Sequence, residues 1–150
     1  MQFEIPESLK HEHEELHAEL KKAIGAGGKV GEAAKAVAEA LHLHFMKEEE
    51  YAMPPLGLLS ALAEGRVTSD MKDVIPMTDK LKADLLHMLE EHKAIVASLK
   101  NLLDVANKEG KAEYAAFAEK LMLHAKNEEE VLYPASILVG EYLKERLKIS

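Results

Sequence analysis

The chain contains no cysteine and no tryptophan, and aromatic residues make up only 5% of its 150 positions. Without cysteine there is no disulfide, no thiolate metal site and no cysteine nucleophile. β-Branched and aromatic residues are sparse, which argues against a sheet, whereas the dominant alanine, leucine, glutamate and lysine favour helix. No apolar run approaches the roughly 20 residues needed to span a bilayer. The opening Met1-Gln2-Phe3-Glu4-Ile5-Pro6 lacks the basic and then apolar segments of a secretion signal, so a cytoplasmic location is expected. Basic residues are in deficit: the formal net charge is −8 and no basic patch stands out. Neither nucleic acid nor a membrane is therefore an expected partner. What is present is a 47% apolar content, ample for a core, on a length that favours one domain spanning 1–150.

Apolar periodicity predicts an all-α chain. From Pro6, suited to a first helical turn, Leu9, His13, Leu16, Leu20 and Ile24 recur at helical spacing until glycines 25, 27, 28 and 31 stop the run. A second helix is expected over about 31–52, with Val37, Leu41, His44, Glu48 and Tyr51 on one face, ended by Pro54-Pro55. Residues 56–64 read as a short helical extension and 65–70 as a connection. A third helix over about 76–106 would turn Leu81, Leu85, Leu89, His92, Val96, Leu99 and Leu103 inward. A fourth over about 112–132 would turn in Phe117, Leu121, His124, Glu128 and Val131. Pro134 interrupts it before a last amphipathic piece running to about 147. Four long helices with short loops read as an antiparallel up-down bundle.

The sequence also repeats. His13 recurs as His92, His44 as His124, Glu48 as Glu128 and Pro54 as Pro134, at an offset constant to within one position. His44-x-x-x-Glu-Glu-Glu matches His124-x-x-x-Glu-Glu-Glu, so each half is one helical hairpin. His13 and His44 are equidistant from the glycine loop, and His92 and His124 from the Asn107–Gly110 turn, which sets both pairs at matched heights. Glu48 and Glu128 follow their histidines by one turn on the same face. Four histidines and two carboxylates thus converge on otherwise apolar faces. Burying such carboxylates without compensation costs several kcal/mol, as a rough figure. A pair of dications removes that cost, and imidazole with carboxylate suits iron, zinc or manganese.

His-x-x-x-Glu alone is a weak signal, because glutamate is among the commonest residues of the chain. His11 with Glu15 and His87 with Glu91 share the spacing, but their faces carry Glu7, Lys80 and Asp84, and they read as solvated pairs. His42 reads as exposed. His17, one turn after His13, and Tyr51, three after Glu48, are further candidates for a metal position, with surface or core roles as the alternatives. Glu49, Glu50, Glu129 and Glu130 are expected to face solvent or make outer contacts. A ferritin-like centre would use Glu-x-x-His on two helices and a lone Glu on the others. Glu14-x-x-His17 and Glu39-x-x-His42 fit that spacing but have no counterpart in the second half. The serines show no hydrolase arrangement.

The combined pattern resembles the hemerythrin-like family, proteins with a hemerythrin HHE cation-binding domain. It comprises a lone His13, His44-Phe-Met-Lys-Glu48, a lone His92 and His124-Ala-Lys-Asn-Glu128. The resemblance implies a non-haem di-iron centre in which His13 and His44 hold one iron and His92 and His124 the other. Glu48 and Glu128 would bridge them together with an oxo or hydroxo group, and zinc or manganese would also be accepted. Two departures from the oxygen-carrying members stand out: Val96 occupies the position of a further histidine, and Glu128 follows His124 by four where an aspartate follows by five. Each metal would then keep an open position. The implied function is binding of O2 or NO for sensing, storage or transport; the alternative is a redox enzyme acting on peroxide or NO, or an iron-handling protein. An electron donor would be a further partner, and residues 53–75 and 134–150 could cover the bundle end or form a dimer contact.

Overall fold

The computed structural model describes residues 3–149, and helices account for nearly all of them. Helix α1 spans Glu7–Gly25 and α2 spans Gly28–Lys47. The turn between them runs through Gly27 and Gly28 at φ 70° and 58°, left-handed values that glycine adopts without Cβ strain. A short helix α3, Leu59–Ala63, follows a 3₁₀ turn at Pro54–Leu58, and a second 3₁₀ turn at Ser69–Val74 leads into α4, Ile75–Lys108. Helix α5 spans Ala112–Asn127 and α6 spans Tyr133–Leu147. Helices α1, α2, α4 and α5 pack each against its neighbours as the expected four-helix bundle, and α6 folds against α4.

Two features depart from a simple periodic reading. The first is the seam of α4. Leu81, Met88, His92, Ile95, Leu99, Leu102 and Ala106 are buried, so Leu89, Val96 and Leu103 sit at its border rather than in it. Steps of three and four alternate along this stripe, which keeps it facing two nearly parallel neighbours over a long helix.

The second is that neither α2 nor α5 continues as α-helix past its glutamate. Each passes into one wide π turn, at Glu48–Ala52 and Glu128–Leu132. In both the bond skips a residue: Met53 N–H donates to Glu48 O at 2.8 Å, and Tyr133 N–H donates to Glu128 O. The sequence repeat is therefore a repeat of backbone geometry too, with Pro54 and Pro134 just beyond the two turns. The extra residue rotates everything after it. Val131, expected inward, is 53% exposed, and Tyr133 takes the inward place at 1%. Such single wide turns cluster at functional sites.

The core lies on both sides of this level. Toward the glycine loop, Leu16, Leu20, Val37, Leu41, Phe45, Ile95, Leu99, Phe117 and Leu121 pack together. On the other side of the two glutamates, Tyr51, Ala52, Leu81, Met88 and Tyr133 form a second cluster. At 25 cal/mol per Å² as a rough scale, burial of these side chains is the main force closing the bundle. The polar layer between them is held in an apolar sleeve.

Candidate metal centre

His13 projects from α1, His44 from α2, His92 from α4 and His124 from α5, and all four are buried. Glu48 and Glu128 open the two wide turns and are equally enclosed, at 0% and 2% exposure. The structure brings all six together. His92 Nε2 lies 3.3 Å from Glu128 Oε1, His124 Nε2 lies 3.2 Å from Glu128 Oε2, and His44 Nε2 lies 3.7 Å from Glu48 Oε2. His13 Nε2 reaches both carboxylates, at 4.0 Å to Glu48 and 3.7 Å to Glu128.

The resemblance implied one metal per hairpin, whereas the nearest groupings of potential ligand atoms run across the hairpins. Potential ligand atoms group as His44, Glu48, His92 and Glu128, and as His13, His124 and Glu128, so each group spans the two hairpins. Matched height along a bundle leaves open which neighbour an imidazole faces; rotation about the helix axis decides it. Here Glu91 on α4 accepts the Nδ1–H of His44 at 3.0 Å and turns that ring toward α4. His44 Nε2 and His92 Nε2 consequently stand 2.8 Å apart.

Tyr133 is a member of this layer that periodicity missed. Its hydroxyl is 2.8 Å from Glu48 Oε2, 2.9 Å from His44 Nε2 and 3.1 Å from His92 Nε2. In α-helical register a residue five beyond Glu128 points away from the ligand face, and only the wide turn carries it in. Nothing in the apolar pattern signals that turn. Tyr51, by contrast, is buried with its hydroxyl 2.6 Å from Asp84 Oδ2. His17 is exposed, stacks against Phe45 with ring centroids 4.6 Å apart, and lines a cleft with His13. Neither falls in the two ligand groups. His11 and Glu15 form the exposed pair expected, and His42 is exposed. Glu91 is a correction: its contact with His87 is secondary to its bonds with His44 Nδ1 and with Lys47, at 3.0 Å.

The electrostatics follow from burial of like groups. Burial, then the neighbouring Glu128, raises the Glu48 carboxyl well above the usual range. Burial acts the same way on Glu128, but the polar groups of Glu48, His124, His13 and His92 around it outweigh burial and hold Glu128 well below. Burial depresses His44, with the Glu91 bond opposing. It would also depress His92 and His124, yet the adjacent Glu128 carboxylate and then the Nδ1 bonds to Glu129 and Glu12 overcome it and raise both. Burial pushes the Tyr133 phenol strongly upward, as do the charges of Glu48 and Glu128, so it stays protonated.

The donor set fits metal ions on its own chemistry. His44, His92 and His124 each present Nδ1 to a carboxylate, which places the proton of the neutral ring there and leaves its inward Nε2 as the lone pair. With the rings neutral, their lone pairs and the carboxylate oxygens share one apolar layer. Four of its buried atoms, His13 Nε2, His124 Nε2, Glu48 Oε1 and Glu128 Oε2, have no hydrogen-bond partner. Buried polar atoms are nearly always satisfied, and acceptors left bare together call for a cation. A cleft of about 500 Å³ lined by Phe3, Glu4, Ile5, Glu14, His17, Glu49 and Pro54 reaches His13 from the surface.

Among the described residues no helix is long and apolar enough to cross a membrane. No curated protein and no solved structure gives a significant match. The family model of the hemerythrin HHE cation-binding domain matches residues 4–136, a span that contains all four buried histidines, both buried glutamates and Tyr133. With that match over most of its length, laid on a helical bundle with a buried His/Glu cluster, the chain belongs to the hemerythrin HHE cation-binding domain family and is a hemerythrin-like metal-binding protein.

Proposed function

We propose that His13, His44, Glu48, His92, His124 and Glu128 hold two iron ions, and that the pair binds a small diatomic molecule, O2 or NO, for sensing, storage or transport. The observation that carries this reading is the set of bare acceptors on His13, His124, Glu48 and Glu128, converging with the facing Nε2 atoms of His44 and His92. Four imidazoles and two carboxylates would hold the pair with fewer donors than two metal ions accept, so a position would remain for an added ligand. A ferrous pair supplies the electrons and the coordination position that a diatomic ligand needs. The chain's own part is enclosure: apolar clusters above and below the layer exclude bulk water, and a cleft beside His13 leads in from the surface.

That cleft also favours a second reading, a redox enzyme acting on peroxide or NO, because it admits polar molecules to the His13 side. One experiment separates the two. The iron-loaded, anaerobically reduced protein is followed by visible absorption while air is admitted, and then flushed with argon. A change that persists in air and reverses under argon supports reversible binding. Irreversible oxidation, with catalytic loss of added peroxide or NO, supports the enzyme. No spectral response to either gas counts against both.

A further inference from the structure

Each ligand histidine of a metal centre has a second ring nitrogen, and what that nitrogen touches decides how firmly the first is aimed. In this chain the second contacts obey the same repeat as the ligands. Glu12 directly precedes His13 and accepts from Nδ1 of His124 on α5. Glu91 directly precedes His92, the counterpart of His13 in the second half, and accepts from Nδ1 of His44 on α2 at 3.0 Å. Glu129 directly follows Glu128 and accepts from Nδ1 of His92 at 2.9 Å. Its counterpart in the first half is Glu49, which lines the cleft beside His13 and His17. Glu12, Glu91 and Glu129 thus sit beside one ligand in sequence and bond a different ligand in space. Each bond crosses between neighbouring helices: α1 to α5, α4 to α2, and the α5 wide turn to α4.

We propose that Glu12, Glu91 and Glu129 are positioning residues of the metal centre, which tie each helix's ligand to the adjacent helix and hold the Nε2 atoms of His124, His44 and His92 inward as lone pairs. The inference rests on the reading that these histidines bind metal. It goes beyond it by assigning three residues that touch no metal and that ligand spacing does not mark. The tie through Glu91 is the firmest. It is 21% exposed, against 38% for Glu129 and 40% for Glu12, and its other oxygen is held by Lys47. Lys47 in turn lies 3.7 Å from Asp84, which accepts the Tyr51 hydroxyl, so Tyr51 joins the site from outside through this chain of contacts. Among the described residues Glu12 has no comparable cation behind it, and His13 has no carboxylate on Nδ1. The corner at the cleft is therefore the loosest of the four.

The test uses cobalt(II) as the metal probe, titrated against a competing chelator, on the full chain and on Glu91→Ala, Glu91→Gln, Glu12→Ala and Glu129→Ala. Glu50→Ala and Glu130→Ala, at exposed neighbours, are controls. Cobalt affinity should fall about 10–100-fold in Glu91→Ala, and less in Glu12→Ala and Glu129→Ala. Glu91→Gln, still an acceptor, should recover part of the loss, while both controls stay within about twofold. A purely structural role would not move the second readout: in proton NMR of the cobalt-loaded chain, the shifted Nδ1–H signal of His44 should exchange rapidly with solvent in Glu91→Ala alone. Unchanged affinity and a retained signal in Glu91→Ala overturn the positioning role with the metal reading intact. Failure of the unaltered chain to take up cobalt overturns the metal reading and this inference together.

Discussion

The Tyr133 hydroxyl donates a 2.8 Å hydrogen bond to Glu48 Oε2, joining the start of α6 to the wide turn of α2 inside the buried layer. Burial and the two nearby carboxylates keep that phenol protonated, so its role toward Glu48 is donation. Tyr133→Phe keeps the ring packing and deletes the donor. The metal-free chain should lose about 1 kcal/mol, the net worth of one such bond. That corresponds to roughly 2–4 °C in melting temperature at this chain length. Two metals per chain should still bind. Loss of a metal from the variant, measured by elemental analysis, would instead make Tyr133 a ligand.

Metal removal should have a larger effect than any single contact. A ligand that binds only the folded state stabilises it by RT ln(1 + [L]/Kd), about 4 kcal/mol at a thousandfold excess over Kd. Stripping the chain with a chelator should therefore lower its melting temperature by roughly 10 °C. His44→Ala and His92→Ala should abolish most of that difference, and His87→Ala, at an exposed position, should leave it whole. Equal melting of the stripped and loaded forms would sink the reading.

The bundle and six members of the buried layer are legible in the sequence because they depend on quantities it carries directly: helical periodicity, glycine and proline stops, and equal distances from a turn. The near-constant offset between the two halves makes the convergence of His13, His44, His92 and His124 readable without coordinates. Three things are not legible, each for a physical reason. The wide turns after Glu48 and Glu128 have no apolar signature, so periodicity hides Tyr133 and turns Val131 the wrong way. Rotation about a helix axis is not encoded by height, so the grouping of His44 with His92 comes only from the fold. Glu91, on a polar face beside His87 and Lys80, looks solvated because its partner Lys47 belongs to another helix.

Glu48→Gln should reveal what the buried carboxylates cost when no metal is present. The folded-state value of Glu48 is raised above 4.5, so its charged form is less favourable in the fold than in the unfolded chain. Stability of the metal-free protein from this group is therefore full below about pH 4.5 and declines as pH rises through the raised value. A neutral glutamine removes the decline. At pH 8 the metal-free variant should melt at or above the unaltered chain, while at pH 4.5 the two should nearly coincide. Metal-induced stabilisation should vanish in the variant. A metal-free variant that is less stable at pH 8 would contradict the assignment of strain to this carboxylate.

Metal uptake should release protons. Although burial opposes it, carboxylate bonds raise His92 and His124, so these rings hold protons above the ordinary histidine value of 6.5. A metal binds only the free lone pair and must displace them. Affinity should accordingly rise as pH increases through and beyond 6.5, and level off above the raised values. Competition titrations at pH 6, 7 and 8, with proton release followed by an indicator dye in weak buffer, measure both quantities. Affinity that is flat from pH 6 to 8 would show that the imidazoles are already neutral.

The cleft offers a test of access that leaves the ligands alone. Residues 3–5 line it together with Pro54, and Glu4 lies against Gly57, where an added Cβ would come 2.0 Å from the Glu4 carbonyl oxygen. Backbone cannot yield there as a flexible side chain could, so Gly57→Ala must displace the N-terminal segment. A cost of about 1–3 kcal/mol is expected, in the range of an overpacked contact. The wall over His13 should loosen with it. A chelator should then strip metal faster from Gly57→Ala than from the unaltered chain, with the metal content at saturation unchanged. Gly25→Ala, where an added Cβ meets nothing within 4 Å, should show neither effect. If Gly57→Ala is destabilised yet loses metal at the original rate, the path to the centre lies elsewhere in the bundle.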